Sequence, residues 1–485
     1  MVRGSKSGAR HARSSESTGA DIERAGRLGT AVEKTSTILA LAAVLLAPLP
    51  FGSVGTAWTA FWCLPMALSL TGARIGSLSG PLVIVLASVV GLVACLAGLA
   101  VLQTSALLPP AAIWKEASQL LGTDLRARSS ATRIQPLVAL GPPLLMAMTF
   151  CRFALLGRRA ADARLAVKLL AGAGLAYALV GILNFLIAPE MLLWREKSAY
   201  LHNLTGTFVN RNTAATFFGS VSVCWLALFL DALKQARPQG MKLGDWLWLL
   251  AARRDPLLLF RGTGLILSFA AVAATGSRAG LLLTISVLLL AGLIHLSPRR
   301  LLRRRNAIAV LVLALAGLLF IELTGGAVAR RLHLLGFDDE GRFEVYRAQW
   351  ELIARNPLFG IGLGNFEAVF PSVRPATISI LGIWDMGHSS PLQFAAEAGL
   401  PMMALVAAFW LRLLWILARS AMRRRDTPAI AGLSVGLLGT LHSMVDFSLQ
   451  IPGYAVFFAA ITGIGVGRAL ESRKAAPRRT ATAAP

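Results

Sequence analysis

Apolar runs of about 17–25 residues recur along this chain from Thr37 to Val466, and short polar loops separate them. A helix of that length, rising 1.5 Å per residue, crosses the roughly 30 Å hydrocarbon layer of a bilayer. In lipid each backbone N–H and C=O must find a partner within the chain, and for such uninterrupted runs only a helix supplies it. On this criterion about twelve spans are expected. They fall at 36–54, 56–72, 80–102, 134–154, 166–188, 212–233, 257–275, 279–297, 306–324, 398–418, 429–448 and 452–470. The expected fold class is all-α: a polytopic membrane helix bundle with one long loop, 325–397, that carries short helices. A chain of 485 residues would otherwise suggest about two or three soluble domains. With 55% hydrophobic residues and only 15% charged ones, that class is excluded.

Three parts are expected: a basic leader 1–35, a transmembrane bundle 36–470 and a tail 471–485. The leader is rich in Arg, Ser and Gly up to Lys34 and reads as a disordered cytoplasmic tail. Its polar length ahead of the first apolar run excludes a cleavable signal peptide.

A formal net charge of +24 raises the question of nucleic acid. The distribution answers it, because most Arg and Lys lie in short loops between spans, where they set membrane orientation. No nucleic-acid partner is expected, only membrane lipids around the bundle. Alternating the spans puts the leader, Arg158/Arg159/Arg164, Arg253/Arg254 and the clusters at 299–305, 419–425 and 473–479 on one side, with both termini. By the positive-inside rule that side is the cytoplasm. The four cysteines, Cys63, Cys95, Cys151 and Cys224, lie in or beside apolar runs without a CxxC pair, and read as small core residues.

The opposite face receives the loops 103–133 and 189–211, the turn GSRAG at 276–280 and the long loop 325–397. In GSRAG, Arg278 is either an interfacial snorkel or an anion ligand, with small neighbours that allow close backbone approach. A helix is expected from Asp339 to Arg355, capped by Asp338 or Asp339 and ended by Asn356-Pro357. Phe343, Tyr346, Trp350 and Ile353 would form its apolar stripe, on the bundle or in the interface. Glu344–Arg347 and Arg347–Glu351 have ion-pair spacing, leaving Arg342 as the freer cation. PLFGIGLGNF, 357–366, lacks the strand and the Lys-Ser/Thr of a phosphate loop and reads as a tight re-entrant turn.

His388 precedes Ser390-Pro391-Leu392-Gln393, a capping-box pattern with proline at the first helical position. A histidine at a helix start is disfavoured as a cation, so its imidazole stays neutral and able to take a proton. Glu397, further along that helix, could orient a partner or pair with an arginine. Asn210-Arg211-Asn212 face the same side, as do His442 and Asp446, one turn apart, for which a supporting role is expected. There is no Cys/His metal set and no serine-nucleophile motif, so neither metal nor cofactor is expected. Arginines suit a phosphate or pyrophosphate, and a neutral histidine suits deprotonating a hydroxyl. Together they describe a transferase with a diphosphate leaving group.

GTFVNRNTAA, GSRAG, GRFEVYRAQWELIARNPLFGIGLGNF, HSSPLQFAAEAGLP and LHSMVDFSLQIPGYA, in this order between about 206 and 466, resemble the O-antigen ligase / O-antigen polymerase family of bacterial envelope enzymes. The resemblance implies a glycosyltransferase-C-like bundle in the inner membrane, acting on the periplasmic face. It implies an undecaprenyl-pyrophosphate-linked glycan as donor, a lipid A-core or other glycan hydroxyl as acceptor, and no nucleotide sugar. It further implies Arg278 and Arg342 as pyrophosphate ligands, with Arg211 as a weaker third, and His388 as the base of an inverting, metal-independent transfer. One departure stands: HSSPLQ replaces a pattern in which Asn is often followed by an acidic residue, which leaves a carboxylate partner for His388 open. A polymerase using the same donor is the nearest alternative. A lipid-linked saccharide flippase would need mid-span charges and paired broken helices, and the chain has few of the former and none of the latter.

Overall fold

The computed structural model of the chain describes residues 29–76, 78–236, 255–296, 340–378 and 384–471. Its helices are α1 (Gly29–Leu46), α2 (Thr56–Thr71), α3 (Gly80–Thr104), α4 (Ala112–Leu121), α5 (Gly141–Gly157), α6 (Ala160–Ile187), α7 (Arg211–Ala236), α8 (Pro256–Ala274) and α9 (Arg278–Leu296). After the interval that is not described come α10 (Glu340–Arg355), α11 (Ser390–Ala398), α12 (Leu400–Arg424), α13 (Thr427–Ser443) and α14 (Pro452–Leu470). A two-residue antiparallel ribbon, Met191–Leu192 with Arg195–Glu196, sits in the loop before α7. Among the described residues nine helices are long and apolar enough to cross a membrane. α2 and α13, of 16 and 17 residues, are shorter and occupy the second and eleventh expected spans. The expected span 306–324, the caps Asp338 and Asp339, and the basic clusters at 253–254, 299–305 and 473–479 lie outside the described residues.

Boundaries shift where charges make tertiary contacts. α1 begins at Gly29, so 29–35 belong to the first helix and not to a leader. Glu33, in its early turns, accepts ion pairs from Arg74 at 2.7 Å and Arg159 at 3.3 Å, which seats those turns against the ends of α2 and α6. α13 ends at Ser443, five residues short of the expected limit, which leaves Asp446 in the connection to α14.

α7 and α14 are the most buried spans, and they carry the centre of the core. Phe217 on α7 packs with Phe208, with its neighbour Phe218 and with Phe457 of α14, and the Ser220 and Tyr454 hydroxyls meet at 3.2 Å. Gly463 and Gly467 bring α14 against the backbone of α5 at Phe150 and Ala154. Between membrane helices it is this close fit of small residues, not exclusion of water, that supplies the attraction.

The basic loops among the described residues gather at one end of the bundle. Arg158 pairs with Glu471 at 3.4 Å and Arg468 with Asp426 at 2.6 Å, alongside the Glu33 pairs. At the other end α10 and α11 form a cap with its own core of Val345, Ala348, Leu352, Phe366, Phe370 and Ala396. The expected apolar stripe divides: Ile353 is buried with the face bearing Val345, Ala348 and Leu352, whereas Phe343 and Trp350 are 49% and 61% exposed on the outer side of the cap. The small Ala395 and Ala396 of α11 receive that slimmer face and leave the large rings outside. Glu344 does pair with Arg347, at 3.7 Å, but Glu351 pairs with Arg355.

Candidate functional site

The glycine turn after α10 anchors the site. Gly360, Gly362 and Gly364 all have positive φ, so the chain reverses tightly, as a re-entrant turn requires. The reversal points the N–H groups of Gly364 and Phe366 at the Glu397 carboxylate, which accepts them at 2.8 and 3.2 Å and takes a third bond from Gln393 Nε2 at 3.1 Å. Glu397 thus pairs with backbone and amide donors among the described residues. Burial pushes its carboxyl above the ordinary value, and these donors pull the other way.

The end of α3 and the loop that follows it fasten the same turn. Gln103 donates to the carbonyls of Phe359 (2.6 Å) and Glu397 (2.9 Å) and accepts from Leu363 N–H. Asn365 donates to Ser130 Oγ at 2.6 Å and accepts from Thr132 at 2.6 Å.

His388 ends the segment before α11, in a left-handed conformation with φ 53°. Three side chains fix its peptides: Gln349 donates to the Gly387 carbonyl at 2.6 Å, Gln393 accepts the Gly387 N–H at 2.8 Å, and Tyr346 Oη donates to the His388 carbonyl at 3.0 Å. The ring lies edge-on between Trp384 and Phe447, 5.6 and 5.2 Å away. Its Nδ1 is buried without a hydrogen-bond partner among the described residues. Burial, and then the charge of Arg342, push the imidazole down to about 4. Both causes favour the neutral ring at physiological pH.

The capping box does not form. Ser389 is the N-cap of α11 and makes no side-chain cap. The Ser390 hydroxyl donates to the Asp446 carbonyl at 3.2 Å instead, and Gln393 is occupied with Gly387. The pattern's hydrogen bonds have been redirected to tie α11 to the α13–α14 connection.

Arg342, on the first turn of α10, is engaged in the electrostatics of this pocket, not free. Its charge acts on His388, Asp446 and Tyr200 together. Asp446 is 1% exposed, and its Oδ1 accepts the Phe447 N–H at 2.7 Å. Burial raises that carboxyl to about 6 against the charge of Arg342, the hydrogen bonds from Phe447 N–H and the Asn212 side chain, and the charge of Arg211. Arg211 opens α7, stacks its guanidinium 5.3 Å from the Tyr200 ring and donates to Asn203 Oδ1 at 3.4 Å. His442 is buried on α13, with Nδ1 3.2 Å from Ser448 Oγ and Nε2 without a partner among the described residues.

Arg278 is placed differently. It begins α9 with an exposed side chain, while its neighbours carry the contacts: Ser277 Oγ donates to Asn212 Oδ1 at 2.8 Å, and Gly276 packs against Asn203. The turn is therefore joined to the first turn of α7, and Arg278 stands at its rim. Among the described residues no three His, Cys, Asp or Glu side chains form a metal-ligand set.

Sequence reasoning missed Tyr346, Gln349, Gln103 and Tyr200. Tyr346 had been counted as apolar surface, and no periodicity tells a buried amide from a solvated one. The signal available was Gln103 at the end of the apolar run 80–102; Gln349, with Arg347 and Glu351 close by in the chain, carries no such mark.

Residues 263–407 match the family model described as O-antigen ligase. That interval runs from α8 into α12 and includes Arg278, Arg342, His388 and Glu397; Arg211, His442 and Asp446 lie outside it. No curated protein matches the chain.

Proposed function

From the match of residues 263–407 to the O-antigen ligase model, we propose that the chain moves a glycan from an undecaprenyl-pyrophosphate carrier to a sugar hydroxyl at the periplasmic face. The observation that carries the proposal is the cation Arg342 acting on a neutral, buried His388 whose Nδ1 has no hydrogen-bond partner among the described residues. A cation there suits a departing diphosphate, and a neutral imidazole suits an incoming hydroxyl.

In this reading the acceptor oxygen attacks the anomeric carbon and loses its proton to His388. The bond from that carbon to the pyrophosphate oxygen breaks, and configuration inverts. The negative charge that leaves with the carrier is held by Arg342 and Arg211 in the pocket and by Arg278 at its rim. Asp446 sets the local field for both arginines within the site. No residue in this scheme requires a metal. The acceptor is lipid A-core or another surface glycan. The basic end of the bundle, with its clustered loops, supports an inner-membrane orientation with both termini cytoplasmic.

The test is transfer in membranes from an undecaprenyl-pyrophosphate-linked donor, with EDTA added, comparing wild type with His388→Ala and Arg342→Ala. Activity that survives EDTA and falls by about 100-fold or more in both variants, at unchanged expression, is the expected result. Normal transfer by either variant overturns the scheme. Lipid-linked polymer accumulating unattached in cells without the protein identifies a ligase, and single repeats without polymer identify a polymerase.

A further inference from the structure

At the end of the bundle opposite His388, the ends of α6, α7, α12, α13 and α14 enclose a cavity of about 380 Å³. Its wall holds six cations, Arg164, Lys234, Arg423, Arg424, Arg425 and Arg468, and two acids, Asp231 and Asp426. Both acids are already engaged: Asp426 pairs with Arg468 at 2.6 Å, and Asp231 accepts from Gln235 Nε2 at 2.9 Å. Arg164, Lys234, Arg423 and Arg425 make no ion pair among the described residues. Asp426 is also the N-cap of α13, yet it makes no side-chain cap because its carboxylate is turned to Arg468. The positive end of the α13 dipole thus adds to the charge of the wall at Thr427. Arg425 ends α12 in a left-handed conformation, φ 52°, at a position that glycine would occupy without strain.

Orientation in a membrane needs basic loops, but it does not need them folded around a hollow. Surface arginines ordinarily spread into water, where self-repulsion is least. Here helices far apart in sequence hold five more cations beside one ion-paired arginine, around a volume large enough for a phosphate group.

We propose that this cavity is a binding site for a phosphate-bearing anion, distinct from the His388 site, which ties five helix ends together when it is filled. A phosphodiester of an anionic lipid headgroup and free inorganic phosphate present the same chemistry to it. Bidentate guanidinium–phosphate contacts supply the recognition.

The experiment uses the full-length protein in detergent, following thermal unfolding while titrating phosphatidylglycerol, phosphatidylcholine or inorganic phosphate. Two variants remove charge from opposite walls, Arg423→Gln/Arg425→Gln and Arg164→Gln/Lys234→Gln, so that misfolding of one leaves the other informative. A control, Lys168→Gln/Arg419→Gln, removes the same charge from exposed positions outside the cavity. Phosphatidylglycerol should raise the unfolding temperature of wild type and control, and each cavity variant should need about tenfold more lipid for half the effect. An equal response to inorganic phosphate would assign the site to a soluble anion, and a response to phosphatidylglycerol alone would assign it to a headgroup. Equal weakening in the control, or no response to either anion, would overturn the proposal.

Discussion

The Tyr346 hydroxyl donates to the carbonyl of His388 at 3.0 Å, so α10, which carries Arg342, also holds the backbone of the histidine on which that arginine acts. A cation and a neutral imidazole are thereby set on one rigid unit. In Tyr346→Phe that link is lost. Stability should fall by about 1 kcal/mol. Transfer should fall several-fold in kcat with little change in KM, because the ring is displaced and the donor's binding charges remain. Steady-state transfer assays on purified protein decide this.

The His388 ring sits at about 4, below the usual 6.5, because it is buried and faces Arg342. A depressed value means that the unfolded chain takes up the proton first as pH falls. The contribution to stability is complete above about 6.5 and is lost on descending towards 4. His388→Gln should flatten that part of the stability curve, by on the order of 2–3 kcal/mol across the window. The acid limb of kcat/KM should lie near 4 and not near 6.5. A limb at 6.5 would show that the ring is open to solvent.

The Glu397 carboxylate accepts two backbone N–H groups and one amide of the re-entrant turn. Glu397→Ala leaves these donors buried and should cost on the order of 3 kcal/mol. Glu397→Gln keeps one acceptor and should cost less. Thermal unfolding of both variants tests the ranking.

Gly362 has φ 101°, with Asn365 and Ser130 packed where a Cβ would project. Gly362→Ala should therefore destabilise by about 1–3 kcal/mol and loosen the attachment of loop 103–133. Faster proteolysis of that loop is the expected readout.

Gly467 lies against the backbone of Ala154, where α14 crosses α5. Gly467→Ala should force the two helices apart and cost about 1–3 kcal/mol. Reduced yield of folded protein in detergent would report it, at a position remote from the site.

The helical class and the positions of eleven spans were legible because apolar length alone dictates a membrane helix. For the basic loops among the described residues the shared end was legible too: the Glu33, Glu471 and Asp426 pairs join Arg74, Arg158, Arg159 and Arg468 there. The selection of His388, Arg342 and Arg211 rested on residue chemistry at span ends. What went astray was partner choice. Ser390 had the spacing of a cap and bonds to Asp446, and Glu351 had the spacing for Arg347 and pairs with Arg355.

The amino-acid sequence by itself determined how many helices cross lipid in the described regions and which loops share an end, since both follow from the cost of placing backbone and charge in hydrocarbon. Only the tertiary structure decided which groups meet: that Glu397 serves a glycine turn, that Gln103 and Asn365 tie it to α3 and to Ser130 and Thr132, and that the charge of Arg342 acts on a buried histidine. Such contacts join residues tens to hundreds of positions apart, and a hydrogen bond between them leaves no periodic trace in the chain.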